Sequence, residues 1–327
     1  MSHRTAAAWM LLSRIFSIAI IIMRYHGDGD VPPHLYRGPI TPGYGGTDIR
    51  DWFGMERDSK LIEYPNREEW DGLYTTVSCR RALSPSGLPG IQYALNPYGG
   101  CEHGCIYCYA PEVTHVQWGG WRVVRVKVNI ADRLVQELPG LTGTIGIGTV
   151  TDPYQGAEAR FMLTRRCLEI LKERGYRVHI HTKSDLVLRD LDLLSSMEGE
   201  VGVTVTGLDE RRSKMLEPGA PLPEARLRAL RELSAAGVDA YALIGPVMDH
   251  LEGHEDEFCD AIASTGVRRA VLDRLNPRPE LSKRTDRMHV RGSDAALENI
   301  RTMLASRGLT VEDAFREEAR RHSPCRL

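Results

Sequence analysis

Three of the seven cysteines fall within eight residues, at Cys101, Cys105 and Cys108, in the stretch LNPYGGCEHGCIYCY from Leu95 to Tyr109. The spacing C-x3-C-x2-C lets one short loop turn three sulfurs toward a common point. Soft thiolate ligands select zinc, copper(I) or an iron–sulfur cluster over hard cations. A structural zinc site wants a fourth ligand and a cluster held by four cysteines wants a fourth thiol, yet no further cysteine lies near. An open coordination position suits a reactive centre. The alternative is a closed zinc site with His103 or His115 as fourth ligand, stapling a non-catalytic zinc or iron–sulfur interaction module. Disulfides are not expected: seven is an odd number, no cleavable signal is evident, and 327 residues bury a core without them.

With Tyr107 in the aromatic slot, C-x3-C-x-aromatic-C resembles the signature of radical S-adenosylmethionine (radical SAM) enzymes. The wider phrase NPYGGCEHGCIYCYA, with TDPYQ at Thr151–Gln155 and TKSDLVLRDLDLL from Thr182, is similar to the spore photoproduct lyase-like, DNA repair photolyase-like branch. The similarity runs from about Ala94 to Pro246. It implies that Cys101, Cys105 and Cys108 hold three irons of a [4Fe-4S] cluster whose fourth iron chelates SAM. One electron then cleaves SAM to a 5'-deoxyadenosyl radical, which abstracts hydrogen from an unidentified substrate. It also implies a partial (β/α)6 barrel of TIM type and an external one-electron donor of the flavodoxin or ferredoxin kind. Spore photoproduct lyase repairs a thymine dimer with the help of a cysteine just after its second strand. The matching neighbourhood here, GIGTVTDPYQ, contains none, so efficient thymine-dimer repair is not expected.

The order of apolar patterns along the chain agrees with such a barrel. Ala6–Met23 is an apolar run with Arg14 near its middle, costly in a bilayer. It reads as translation from a start upstream of the true one, with Met23 as the alternative, and membrane association is not expected. From Arg24 to Gly90 no sustained period appears, and residues 1–90 read as a loop-rich extension wrapping the core, with Trp52, Phe53, Trp70 and Tyr74 wanting a surface to cover. Strands are then expected at Ile91–Leu95, Thr144–Gly148, Val178–Ile180, Val201–Val205, Ala240–Ile244 and Ala270–Leu272. Helices are expected between them, at Ile130–Leu138, Glu158–Arg174, around Leu188–Leu194, along Leu227, Leu230 and Leu233, around Phe258 and Ile262, and after the cap Ser293. Residues 91–273 are thus the barrel, and 274–327 a basic loop with C-terminal helices.

In parallel α/β barrels the chemistry sits at the C-terminal ends of the strands. Cys101 to Cys108, Thr149 to Asp152, Lys183 with Ser184, Thr206, and Gly245 with Pro246 each follow an expected strand and should face one mouth. SAM needs an acceptor for its ammonium, a donor for its carboxylate and polar contacts for its hydroxyls. The resemblance implies Asp152 with Thr151 for the amino group. Lys183 with Ser184 suits the carboxylate, Thr204 and Thr206 the ribose, and Tyr107 the neighbourhood of the adenine. The competing roles are ordinary ones: Asp152 as a turn cap, Lys183 as a solvated surface lysine, the threonines as sheet formers.

A formal net charge of −2 gives no global footprint for nucleic acid. A local one is conceivable, since Arg274 to Arg291 carries six lysines or arginines and Arg320 and Arg321 extend a basic tail. Nucleic acid therefore stays open as a substrate beside a small molecule. Cys79, Cys167, Cys259 and Cys325 are scattered and read as structural or incidental, which fits a reducing cytoplasm.

Overall fold

A computed structural model describes residues 74–314. The expectations for Ala6–Met23, for Trp52, Phe53 and Trp70, and for Arg320, Arg321 and Cys325 lie outside the described residues. The strands are β1 (Tyr74–Val77), β2 (Leu83–Pro85), β3 (Tyr93–Leu95), β4 (Tyr98–Gly99), β5 (Val124–Lys127), β6 (Ile145–Ile147), β7 (Val178–Thr182), β8 (Gly199–Thr204), β9 (Asp239–Val247), β10 (Arg269–Arg274) and β11 (Thr310–Asp313). Eight of them form one sheet in the order β11-β10-β9-β8-β7-β6-β3-β2, and β1-β5-β4 form a second. In the eight-stranded sheet all neighbours from β3 to β11 run parallel and only β2 is antiparallel to its partner, whereas in the small sheet β5 runs parallel to β1 and antiparallel to β4. The edge strands β2 and β11 do not pair, so the barrel is open.

All six expected strands are present. Three features differ from expectation. A seventh parallel strand, β11, follows the helix Asp294–Ser306 that Ser293 caps through Ala296 N–H. Its four residues TVED contain one apolar side chain and show no alternation, so no period marks them. The helix expected over Glu158–Arg174 is two helices, Gly156–Phe161 and Leu163–Glu173, broken at Met162 with φ of 53°. Between them the buried Glu158 carboxylate accepts from Thr164 N–H at 2.8 Å and Arg165 N–H at 3.2 Å, capping the second helix from within the first. Residues 74–90, expected as loop, supply β1 and β2. Tyr74 is buried, with its ring edge-on to Phe161.

Strand alternation divides the sheet into two surfaces. Val178 and Ile180 of β7, Val201 and Val203 of β8, Ala240, Ala242 and Ile244 of β9, and Ala270 and Leu272 of β10 are buried. The intervening His179, His181, Glu200, Thr204, Tyr241, Leu243, Gly245, Arg269, Val271 and Asp273 line a central cavity of about 1050 Å³. The inner wall is thus largely polar, unlike the packed apolar layers of a closed barrel. Tyr241 crosses the lumen: its hydroxyl lies 2.7 Å from Nε2 of both His179 and His181, and the Arg269 guanidinium sits 4.3 Å from its ring centroid. It can do so because Gly202 has no side chain, and a Cβ there would come within 2.5 Å of the Tyr241 hydroxyl.

Gly202→Ala is therefore expected to cost about 1–3 kcal/mol through overpacking against a ring that three neighbours hold in place. Gly119→Ala, where an added Cβ meets nothing within 4 Å, should change stability by less than about 0.5 kcal/mol. Urea unfolding midpoints of the two variants check this.

Candidate active site

The cysteine loop starts where β4 ends and is held from three sides. Pairing of β4 with β5 fixes its entry, and Cys101 N–H donates to the Trp121 carbonyl at 2.9 Å. Gly100, at φ of 88°, admits that approach, because a Cβ would lie 2.6 Å from the carbonyl oxygens of Trp121 and Val123. On a second side Glu102 N–H donates to Gln155 Oε1 at 2.9 Å, and the Glu102 carboxylate accepts from Ala157 N–H at 2.7 Å. On a third side Ile106 N–H donates to the Leu216 carbonyl at 2.9 Å and Gly219 N–H to the His103 carbonyl at 3.0 Å.

Within this clamp the three cysteines are free thiols that line the same cavity. Burial pushes Cys101 up to about 12, aided by the neighbouring Asp152 charge; burial likewise lifts Cys105 well above the ordinary thiol range, and Cys108 above it. Lys183 acts against this at both Cys105 and Cys108. Thiols in such a place become thiolates when a cation replaces their protons, so the donor set fits a thiophilic metal centre. Among the described residues no three His, Cys, Asp or Glu side chains are gathered as tightly as a single chelated ion requires. His103, a candidate zinc ligand, instead points its Nδ1 at Asp152 Oδ2, 3.4 Å away, and burial lowers it to about 4 so that it stays neutral.

Of the expected cofactor contacts, Tyr107, Thr151, Asp152, Lys183 and Thr204 line the cavity with the thiols, whereas Ser184 and Thr206 do not. Asp152 is heavily engaged: Oδ1 accepts from Tyr154 N–H at 2.9 Å and Thr182 Oγ1 at 2.7 Å, and Oδ2 from Lys183 N–H at 2.7 Å. It is therefore a turn cap as well as a cavity carboxylate, and it fixes where Lys183 leaves the sheet. Lys183 Nζ lies 5.6 Å from the Tyr107 ring centroid, over the ring rather than in bulk solvent. Ser184 is turned back to accept from Leu186 N–H at 3.2 Å, capping the 3-10 helix Asp185–Asp190. Thr206 donates to Glu217 Oε1 at 3.1 Å. Gly245 and Pro246 belong to the end of β9 and still line the cavity.

Two residues that sequence reasoning missed hold the loop from below. Glu217 accepts from the Tyr107 hydroxyl and from Arg226 Nη2, and both charged side chains are at most 1% exposed. Burial raises the Glu217 carboxyl and the Arg226 guanidinium draws it back down. A signal existed: Arg226 stands at i, i+4 and i, i+7 to Leu230 and Leu233 in the helix Pro223–Ala235, on its apolar stripe. Of the lumen residues, His181 is in the sequence one of four histidines near strand ends, with His179, His250 and His254, that nothing separates, and Tyr241 stands at an ordinary strand position.

The fold and site are those of an open parallel α/β barrel with three clamped thiols, a lysine and a carboxylate at its C-terminal mouth. The Radical SAM superfamily profile matches residues 95–263, from the end of β3 past β9. An uncharacterized protein of Methanocaldococcus jannaschii is 36% identical over 180 residues, covering 54% of this chain and 68% of its own. One of Mycobacterium tuberculosis is 32% identical over 234 residues, covering 65% and 68%. Spore photoproduct lyase complexed with dinucleoside spore photoproduct superposes with a TM-score of 0.56 at 17% identity, over 81% of this chain and 91% of that one. A variant of it with bound AdoMet and the same dinucleoside gives 0.54 at 14%, over 82% and 92%. At these identities the structural likeness is one of fold. The chain belongs to the radical SAM superfamily of enzymes.

The lumen carries a pH signature. Burial first, then His179 and Lys183, lower His181 from 6.5 to about 3. Below pH 6.5 the unfolded chain takes up a proton that the folded chain refuses, so stability falls as pH drops from 6.5 toward about 3 and is unaffected above that window. Between pH 7 and 5 this one residue should cost roughly 2 kcal/mol. Urea midpoints of His181→Asn are expected to decline less over that interval than those of the parent protein.

Proposed function

We propose that this protein reductively cleaves SAM and uses the resulting radical to abstract hydrogen from a substrate held in the barrel lumen. The observation that carries it is the convergence of Cys101, Cys105, Cys108, Asp152 and Lys183 on one cavity of about 1050 Å³, the upper end of the size typical of small-ligand sites. The three thiols would hold a [4Fe-4S] cluster. With SAM bound, that pair supplies one-electron cleavage to a 5'-deoxyadenosyl radical. Lys183 offers a donor to the SAM carboxylate, Asp152 negative charge to its ammonium, and Thr151, Thr204 and Tyr107 polar and ring surface to the nucleoside. Ser184 and Thr206 act one layer behind, by capping the turn after Lys183 and by steadying Glu217. The electron comes from an external carrier of the flavodoxin or ferredoxin kind.

Nucleic acid as substrate has one observation in its favour. Arg274 and Arg278 line the cavity rim, and Arg278 lies 5.8 Å from the ring centroid of the exposed Tyr109. The rest of the basic segment does not reach the cavity, and Asp152, Asp273 and Asp313 line it too, so the rim is mixed in charge. A phosphate-bearing substrate would show affinity falling steeply with salt. Among the described cysteines only the loop's three line the cavity, which supports the expectation of no efficient thymine-dimer repair.

Anaerobic reconstitution followed by absorbance and electron paramagnetic resonance tests the reading. Cys101→Ala, Cys105→Ala and Cys108→Ala should each fail to assemble a cluster, whereas Cys167→Ala should assemble one. Lys183→Ala should keep its cluster and bind SAM about 10-fold or more weakly, the loss of one charge-assisted contact. A colourless protein with stoichiometric zinc and no SAM cleavage under dithionite would overturn the proposal in favour of the interaction module.

A further inference from the structure

A second cavity, of about 550 Å³, adjoins the central one. Leu88, Tyr109, Thr149, Val150 and Thr151 line both, so the two share a wall, which the Tyr109 hydroxyl ties together by donating to the Thr149 carbonyl at 3.0 Å. Apart from Thr151, none of the residues assigned above to the cluster or to SAM reaches it. Its far side is the small sheet. Alternation along β5 buries Val124 and Val126 on one face and turns Arg125 and Lys127 to the other, where both line this annex. Strand register sets Gly99 opposite Arg125, and a Cβ at Gly99 would lie 3.1 Å from the Arg125 Nε, so the glycine makes room for the guanidinium. Lys127 Nζ donates to the Asn96 carbonyl at 2.8 Å, which uses one of its three protons.

Charge in the annex is of one sign. No Asp or Glu lines it, and residues 74–99 and 121–127, which supply most of its walls, contain none. The acids on adjoining segments are placed elsewhere. Glu102 accepts from Ala157 N–H, Glu112 from Leu281 N–H, Glu137 from the N–H groups of Ala82 and Leu83, and Asp152 from Lys183 N–H in the central cavity. Asp132 is exposed in the first turn of the helix Ile130–Glu137. Among the described residues neither Arg125 nor Lys127 has a carboxylate partner. Burial pulls the Lys127 ammonium below the ordinary lysine range; the Cys79 thiol opposes this and Arg125 adds to it. A recess lined by one sign of charge concentrates counter-ions.

We infer that the annex is an anion subsite that takes the phosphate of a small phosphorylated substrate whose reacting part lies in the central cavity. The anion site stands on its own geometry, while its service to a substrate rests on the proposed radical SAM function. A guanidinium fork, an ammonium and the hydroxyls of Ser84, Ser86 and Thr114 offer more donors than the two oxygens of a carboxylate can use. They match the three terminal oxygens of a phosphate monoester, which carries a charge of about −1.5 to −2 at pH 7. The volume suits a small molecule. A nucleic-acid backbone would instead reward basic residues strung along a groove, whereas only two bases line the annex, side by side on one strand.

The test is anaerobic calorimetric titration of reconstituted holoenzyme with inorganic phosphate, sodium acetate, ribose 5-phosphate and ribose at matched ionic strength. Phosphate should bind at least tenfold more tightly than acetate, and ribose 5-phosphate at least tenfold more tightly than ribose. Arg125→Gln and Lys127→Met should each weaken phosphate and ribose 5-phosphate binding at least tenfold. Arg122→Gln, an exposed neighbour that does not line the annex, should bind both as the parent does. Absence of phosphate binding in the parent, or binding that neither annex variant weakens, overturns the subsite. Acetate binding as tightly as phosphate overturns the phosphate assignment in favour of a carboxylate. Displacement of phosphate by saturating SAM overturns a separate annex, placing the anion where the SAM carboxylate sits. A single-stranded oligonucleotide that binds at least 100-fold more tightly than ribose 5-phosphate, and loses affinity in Arg125→Gln, overturns the small molecule in favour of nucleic acid. Absence of dithionite-driven SAM cleavage in a parent that still binds phosphate overturns the radical SAM function and the substrate role with it, but not the anion site.

Discussion

The buried pair of Glu217 and Arg226 is the constraint on which the mouth of the barrel depends. Two charges this deep repay their desolvation only when every remaining lone pair and proton finds a partner. Here the partners are the Tyr107 hydroxyl, the Thr206 hydroxyl and the carbonyls of Pro221 and Thr204. The cysteine loop, the end of β8 and the helix Pro223–Ala235 are thereby tied to one carboxylate–guanidinium contact. Loss of either partner would strand a buried charge, at a cost of about 3–5 kcal/mol, directly beneath the ring that separates Cys105 from Cys108.

Around that point the strand ends bring the other groups into reach. Thr182 pairs with Val203 and Thr204 with Leu243, so the residues leaving β7 and β8 emerge side by side. Asp152 then spans from the β6 loop to the backbone of Lys183, joining two strand exits with one side chain. The consequence is a lysine and a carboxylate whose spacing is fixed at two neighbouring strand exits, beside a cysteine loop that its own backbone clamp holds.

How much of this the sequence shows depends on whether a feature is local. The six expected strands carry apolar runs or alternation long enough to read, and the thiol spacing announces its own chemistry. The residues after strands β6 and β7 were found because a parallel barrel places strand ends together whatever their identity. Contacts that join distant segments were not legible. Tyr107 meets Glu217 across 110 positions, Glu158 caps a helix other than its own, and β11 owes its place to pairing with β10, not to its own pattern. The directions of Ser184 and Thr206 also needed coordinates, since a hydroxyl beside a cavity can as well serve the backbone.

The crossing of the lumen by Tyr241 has a consequence of its own. A phenol has one proton, so between two imidazole nitrogens at 2.7 Å each it gives to one ring and receives from the other. The two histidines cannot then be equivalent: they adopt opposite tautomers, and the ring that accepts from the phenol cannot take a proton at Nε2 without breaking the chain. Beneath them the charge of Glu200 is met by Arg269. The interior wall therefore greets an incoming molecule with oriented dipoles and almost no net charge. It can select by the pattern of donors and acceptors a guest presents, while leaving the guest's own charge to be answered at the rim.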